Sequence, residues 1–175
     1  MTTIHTDRLV LRDFEVADVP ALAAILGDPQ VMRYSVRGVL SEHATGEFVR
    51  NCKQAYSVDG VGTQAVIDAA TGQLIGFCGL NSETVDGVME VEIGYRLAPS
   101  FWGRGLASEA ARATLKHAFE TLRLTSVIAI VQPENVASVR VLQKIGFKDY
   151  VHSQYHRLGV RIYRFASAQW QTLHC

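Results

Sequence analysis

Residues 101–110 read FWGRGLASEA: two glycines flank an arginine, and small residues lead into a helical pattern. A helix N-terminus carries unpaired backbone N–H groups and about half a positive charge from its dipole. Glycine just ahead of it lets a ligand reach bare backbone, so the arrangement suits a phosphate or pyrophosphate. Arg104 adds a formal charge at the rim. On the loop alone, the alternative is that Gly103 and Gly105 only make a tight turn. Immediately upstream, VMEVEIGYRL (88–97) holds two carboxylates, Glu90 and Glu92, which strand alternation puts on one face. A carboxylate within reach of a reacting group is a candidate general base. Its alternative is a solvated glutamate paired with a neighbouring cation.

Two phosphate loops do not fit. A P-loop ends in Gly-Lys-Ser/Thr, which 101–108 lacks. The dinucleotide fingerprint needs a third glycine, where Ser108 stands, and an acidic residue at the next strand's end. Glu134 lies past that strand and beyond Pro133, so a nicotinamide dehydrogenase is disfavoured.

These residues must be held by elements the pattern also supplies. RLVLRDF (8–14) alternates as a half-buried strand. Val16, Val19, Leu22, Ala23 and Leu26 repeat at helical spacing up to Gly27, and Ser41 opens a second helix with Ala44, Phe48, Cys52 and Tyr56 on one face. GTQAVID and QLIGFCGL form a hairpin through AATG, and DG at 86–87 turns the chain into strand 88–97. A helix follows from Leu106 to Leu122. SVIAIV (126–131) is a continuous apolar run, expected of a strand covered on both faces. Asn135 then caps a helix running through Ile145, and strands near 148–156 and 160–167 close the chain. The expectation is one α/β (α+β mixed) domain over 1–175, with a mostly antiparallel mixed sheet of about seven strands and about four helices.

The totals set broad limits. The chain has 175 residues, enough for a sizeable core, with 48% hydrophobic and 19% charged residues, as in ordinary globular domains. Its 17 basic and 17 acidic residues cancel, so nothing points to a nucleic-acid or membrane-surface partner. Cys52, Cys78 and Cys175 form neither a ligand pattern nor an even disulfide framework, and the first two sit in apolar patterns. The six histidines lack ligand spacing, so no metal is expected. The N-terminal stretch lacks a signal-peptide layout and no apolar run reaches membrane-spanning length, so a cytoplasmic protein is expected.

WGRGLA (102–107) resembles the Q/R-x-x-G-x-G/A loop with which the GNAT acyltransferase superfamily holds the pyrophosphate of acetyl-CoA. It departs at Trp102, where a tryptophan is usual in the Rim-type branch that acetylates ribosomal-protein N-termini. TDRLVLRDFEVADVPALAAILGDPQVMRY and NVASVRVLQKIGF resemble the same branch, so the likeness spans residues 6 to about 165. It implies transfer of an acetyl group from acetyl-CoA to a primary amine, by direct attack and with no covalent enzyme intermediate. The acceptor would be a small molecule or a protein N-terminus.

The resemblance also implies residue roles. Glu92 aligns with the glutamate that acts as base through water. Backbone groups of Arg96 and Leu97 pair with the pantetheine arm. Trp102, Gly103, Arg104, Gly105, Leu106, Ala107 and Ser108 form the pyrophosphate loop. Asn135 contacts the cofactor arm. Many relatives carry a tyrosine seven residues after that asparagine as proton donor to the thiolate, but here the position is Leu142. Ser138 is the branch's substitute, though a serine hydroxyl is a weak acid and suits hydrogen bonding or a water relay. Met32, Arg33 and Tyr34 lie in the loop that walls the acceptor cleft. Arg140 and Lys144 are candidates for the neighbourhood of the adenosine phosphates, with solvated helix-face charges as the preferred reading of each. A homodimer through the late strands is plausible, and a non-catalytic acyl-CoA-binding or sensing protein is the rival reading.

Overall fold

Leu9 and Leu11 are fully buried while Val10 and Arg12 are half-buried, the signature of a strand with one face on a core. The computed structural model describes residues 1–174 and makes this segment β2 (Leu9–Arg12). In chain order the elements are β1 (Ile4–His5), β2, α1 (Val19–Leu26), α2 (Glu42–Val58), β3 (Thr63–Asp68), β4 (Leu74–Val85), β5 (Val88–Leu97), α3 (Leu106–Lys116), β6 (Ser126–Val131), α4 (Val136–Ile145), β7 (Tyr150–Tyr155), β8 (Leu158–Ala166) and α5 (Ser167–Leu173). The strands form one sheet in the order β1-β2-β3-β4-β5-β6-β8-β7. All neighbours are antiparallel except β5 and β6.

One apolar layer, with Leu9, Leu11, Ala110, Leu115, Leu142 and Trp170, lies between the sheet and α3, α4 and α5. A second, with Phe14, Leu22, Leu26, Val49 and Ile67, lies between the other face and α1 and α2. The expected mixed domain is therefore present, with eight strands and five helices among the described residues. β1 and α5 are the added elements; a two-residue strand is too short to carry a period. β4 continues to Val85, because SETV keeps alternating as far as the turn at Asp86 and Gly87, both at positive φ. Val16 lies in a short 3-10 turn ahead of α1 and is exposed, so it is not part of that helix's buried stripe. On α2 the buried positions are Thr45, Val49 and Cys52, with Phe48 and Tyr56 packed beside them. The long helix expected through Leu122 ends as α3 and a π-turn over His117–Thr121. Cys52 and Cys78 are buried as expected, and Cys175 lies outside the described residues. Among the described residues, no helix is long and apolar enough to cross a membrane.

One feature of the sheet positions everything below. β5 and β6 share a single residue pair, Glu92 with Ile128. Beyond it the two parallel strands part, and a cavity opens between residues 93–96 and 129–132.

Candidate active site

Alternation along β5 sends Glu92 and Arg96 to the face covered by α1 and α2, and Ile93 and Tyr95 to the face covered by α3 and α4. Where β5 and β6 separate, the two faces communicate. The resulting cavity is about 270 Å³ and is lined by Tyr34, Glu92, Arg96, Asn135, Ser138 and Leu142 among others. Residues expected from three distant stretches of sequence thus share one space.

Burial pushes the Glu92 carboxyl up to about 8, and the nearby Glu83 carboxylate raises it further, against the Ile130 N–H and Arg96. Glu83 sits on the same face, one diagonal step away, because Glu83 pairs with Glu90 and Asn81 with Glu92. Glu90, the other carboxylate of this strand, is neutralised by Arg164, whose Nη1 donates to Oε2 over 3.0 Å. Of the two glutamates, only Glu92 faces the cavity.

On the other side, Asn135 caps α4 by accepting the Ser138 N–H at Oδ1, 3.3 Å away, which leaves the Ser138 hydroxyl free of capping. The Tyr95 hydroxyl lies 3.0 Å from Ser138 Oγ and 3.3 Å from the Ser138 carbonyl oxygen. When Tyr95 donates to Oγ, the serine's own proton is free to point into the cavity. Burial raises the Tyr95 phenol above its ordinary range, so it stays neutral and a donor. The tyrosine missing at Leu142 therefore has a counterpart on β5, reaching the same place from a different element. Cys78 is fully buried against Thr114 and its thiol is pushed up to about 12, which removes it as a nucleophile.

The glycine loop lies at the far end of β5. Gly103 and Gly105 adopt φ of 72° and 75°, and Gly105 caps α3 directly. Leu106 and Ser108 bury their side chains, so they offer an anion only their backbone N–H groups, as does Ala107 in the same first turn. A Cβ at Gly105 would stand 3.6 Å from Arg8 Nη2 and 3.9 Å from Lys144 Nζ. Arg8 is clamped there by Glu109 and by its own donation to the Arg104 carbonyl over 2.8 Å. The Arg104 guanidinium rests over the Phe101 ring. The residues present thus fit a polyanion: bare N–H groups, a helix dipole and three cations. Trp102 donates its indole N–H to the Leu97 carbonyl over 2.7 Å, so this carbonyl is already engaged and Arg96, not Leu97, lines the cavity.

The acceptor-loop residues divide. The Tyr34 hydroxyl donates to the Glu134 carbonyl over 3.1 Å, strapping this loop to the start of α4 beside the cavity. Met32 is buried and lines a neighbouring space. Arg33 is exposed over the Tyr34 ring and lines neither. Arg8, Glu83 and Tyr95 escaped the sequence reading, since their partners lie far along the chain. Lys144 is exposed, with its Nζ beside the Gly105 turn.

The sheet is thus split at one parallel pair, with a glycine loop and helix N-terminus beyond its open end and a buried carboxylate where the strands meet. Residues 8–148 match the acetyltransferase (GNAT) domain model, and the chain belongs to that family. It is 36% identical to YkkB of Bacillus subtilis over 83% of this chain and 84% of that one. A GNAT-family acetyltransferase from Bacillus anthracis superposes with a TM-score of 0.83 at 31% identity, over 95% of this chain and 99% of the other. The crystal structure of RimL, a ribosomal L7/L12 α-N-protein acetyltransferase in complex with coenzyme A, shares the fold at TM-score 0.78 and 20% identity, over 94% of this chain and 98% of that one. The protein is an acetyl-CoA-dependent N-acetyltransferase that passes an acetyl group to an amine.

Proposed function

We propose that the acceptor is a primary amine that attacks the thioester directly in a ternary complex, with Glu92 as base and Ser138 as donor to the departing sulfur. The observation that carries this reading is the buried Glu92 carboxyl at the point where β5 and β6 part, in one cavity with the Ser138–Tyr95 pair. Acetyl-CoA supplies the activated acetyl thioester. An N–C bond forms, the C–S bond breaks, and the amine loses a proton to Glu92. Burial raises the Glu92 carboxyl to about 8, which makes it a better proton acceptor than an ordinary carboxylate. A serine hydroxyl alone is a weak acid. Tyr95 polarises it by donating to Oγ, so that the Ser138 proton stabilises the thiolate as a hydrogen bond without having to transfer.

The pyrophosphate is held by the N–H groups of Leu106, Ala107 and Ser108, with Gly103 and Gly105 giving access and Arg104, Arg8 and Lys144 supplying charge. The backbone of β5 at Arg96 and the Asn135 side chain hold the pantetheine arm. Tyr34 and Met32 border the acceptor. The Asn135–Ser138 pattern supports the Rim-type branch and, with it, a protein or peptide N-terminus as acceptor. The location is cytoplasmic. Edge strand β7, with Tyr150 and Val151 exposed, supports pairing with a second copy.

The test is release of free thiol from acetyl-CoA with pooled N-terminal peptides, polyamines, aminoglycosides and amino acids. Release that depends on one pool, and that falls in Glu92→Gln and Ser138→Ala, is the expected result. Binding of acetyl-CoA with no release from any pool would favour the non-catalytic rival.

A further inference from the structure

Thr6 and Arg8 stand in the turn between β1 and β2, which is closed by the Thr6 N–H donating to the Leu9 carbonyl over 2.9 Å. Glu109 stands in the first turn of α3, just past the anion loop. The two elements meet at the Glu109 carboxylate. Its Oε1 accepts the Thr6 hydroxyl over 2.7 Å and the Arg8 backbone N–H over 2.9 Å. Its Oε2 accepts Arg8 Nε over 2.7 Å, with Nη2 at the same distance. Arg8 passes the constraint on, because its Nη1 donates to the Arg104 carbonyl over 2.8 Å, in the middle of the loop. In a trans peptide the C=O and the N–H that follows it point in opposite directions. Turning the Arg104 carbonyl to Arg8 therefore turns the Gly105 N–H away from it, and among the described residues that N–H has no acceptor. The Glu109 carboxylate is the fixed point from which a free donor of the loop is aimed.

A carboxylate this close to a cradle for a polyanion is unexpected on charge alone, since it repels the ligand and offsets much of the charge that Arg8 brings. Burial by itself would raise the Glu109 carboxyl, yet the donors from Thr6 and Arg8 hold it below its ordinary value, so it is an anion at neutral pH. We propose that Thr6, Arg8 and Glu109 form a latch that sets the anion loop for acetyl-CoA, and that Glu109 is a positioning residue for a ligand of its own sign of charge. This deepens the reading of residues 103–108 as the pyrophosphate site and rests on it. The latch gives up some attraction and in return holds the loop in one shape. Binding then does not have to order Gly103 and Gly105, which sit at positive φ and have wide conformational freedom.

Calorimetry on the full chain gives the Kd of coenzyme A. Thiol release, with the amine pool that supports it, gives kcat and KM for acetyl-CoA and for S-acetylpantetheine, which lacks the pyrophosphate. Charge alone and the latch predict opposite signs for Glu109→Gln. Removing an anion beside the site would tighten coenzyme A, whereas losing the latch weakens it by about tenfold. Arg8→Lys keeps the charge but not the fork that spans Glu109 and the Arg104 carbonyl, so it too weakens binding about tenfold. Thr6→Val loses the hydroxyl at nearly constant shape and weakens binding about threefold, while Thr6→Ser keeps the hydroxyl and stays within about twofold of wild type. In each variant kcat at saturating acetyl-CoA and kcat/KM for S-acetylpantetheine stay within about twofold, which a general loss of structure would not spare. Tighter coenzyme A in Glu109→Gln, wild-type affinity in Arg8→Lys, or equal losses on both donors would overturn the latch and leave acetyl transfer standing. Where Glu109→Gln fails to fold, the Thr6 pair decides, and equal affinities of Thr6→Val and Thr6→Ser overturn the latch. No binding of coenzyme A by the wild-type chain would overturn the pyrophosphate reading beneath it.

Discussion

Glu83 offers a way to move the base without touching it. Glu83 and Glu92 are diagonal neighbours on one sheet face, since Glu83 pairs with Glu90 across β4 and β5, a spacing of roughly 7 Å. Two like charges at that distance repel by about 0.6 kcal/mol in a water-like dielectric and about 2.4 kcal/mol at the effective value of 20 typical of protein sites. At 1.36 kcal/mol per unit, Glu83→Gln should lower the Glu92 pKa by between about 0.4 and about 1.7 units from its value near 8. The sign follows from the charge: Glu83 disfavours a second anion, so its removal makes Glu92 easier to ionise. At pH 7 roughly one Glu92 in ten carries the charge a base needs. Activity at pH 7 should therefore rise in the variant, by up to several-fold, while the alkaline plateau is unchanged. The assay is kcat against pH from 6 to 10 under saturating acceptor and acetyl-CoA, because kcat reports the ternary complex rather than the free amine. A midpoint that stays fixed, or moves to higher pH, refutes Glu92 as the titrating base or Glu83 as its neighbour.

Glu92→Gln should lower kcat by about 10²–10⁴-fold and yet stabilise the fold at alkaline pH. A carboxyl whose folded pKa is raised contributes stability below its unfolded value, lost as pH rises through about 8. The wild-type Tm should therefore fall relative to the variant between about pH 4.5 and pH 8, and level off above that. Tyr95→Phe and Ser138→Ala should each lower kcat with little change in KM for acetyl-CoA, and the double variant should be hardly worse than Ser138→Ala; strictly multiplicative losses would separate the two hydroxyls. Lys144→Ala should raise the KM for acetyl-CoA several-fold with kcat intact. That penalty should shrink as salt is added, which a KM series from low salt to about 0.5 M checks.

What the chain discloses locally and what it withholds follow one physical line. The glycine loop, the Asn135 cap and the alternation that places Glu92 are short-range signals, set by backbone conformation and side-chain period, and each stands where expected. The partners that tune those residues are pairings across the chain. Tyr95 meets Ser138 at a separation of 43 residues, Arg8 meets Glu109 at 101, and Arg164 meets Glu90 at 74. No local period encodes such contacts; they exist only once the sheet order brings β8 beside β6 and α3 against β2. Val16 misled because helical spacing extended the stripe one turn past the true start of α1.

The lone Glu92–Ile128 pair has a mechanical consequence. It divides the sheet into a five-strand panel, β1 to β5, and a three-strand panel, β6 to β8, paired along the strands at one point and otherwise joined through helices, loops and side-chain bonds such as Arg164 to Glu90 and Ser153 to Asp86. An extended polar chain lying in the parting acts as a missing strand, bonding the edge that each panel leaves bare. Occupancy then staples the two panels together, adding about 2.7 kcal/mol when ligand stands at a hundred times its Kd. The backbone amides of residues 93–96 and 129–131 that face the parting become reporters of the staple, slowing their exchange with solvent as it fills, while those bonded to β4 and β8 stay slow throughout. Thermal stability should rise with acetyl-CoA concentration in the same way, which a Tm series checks.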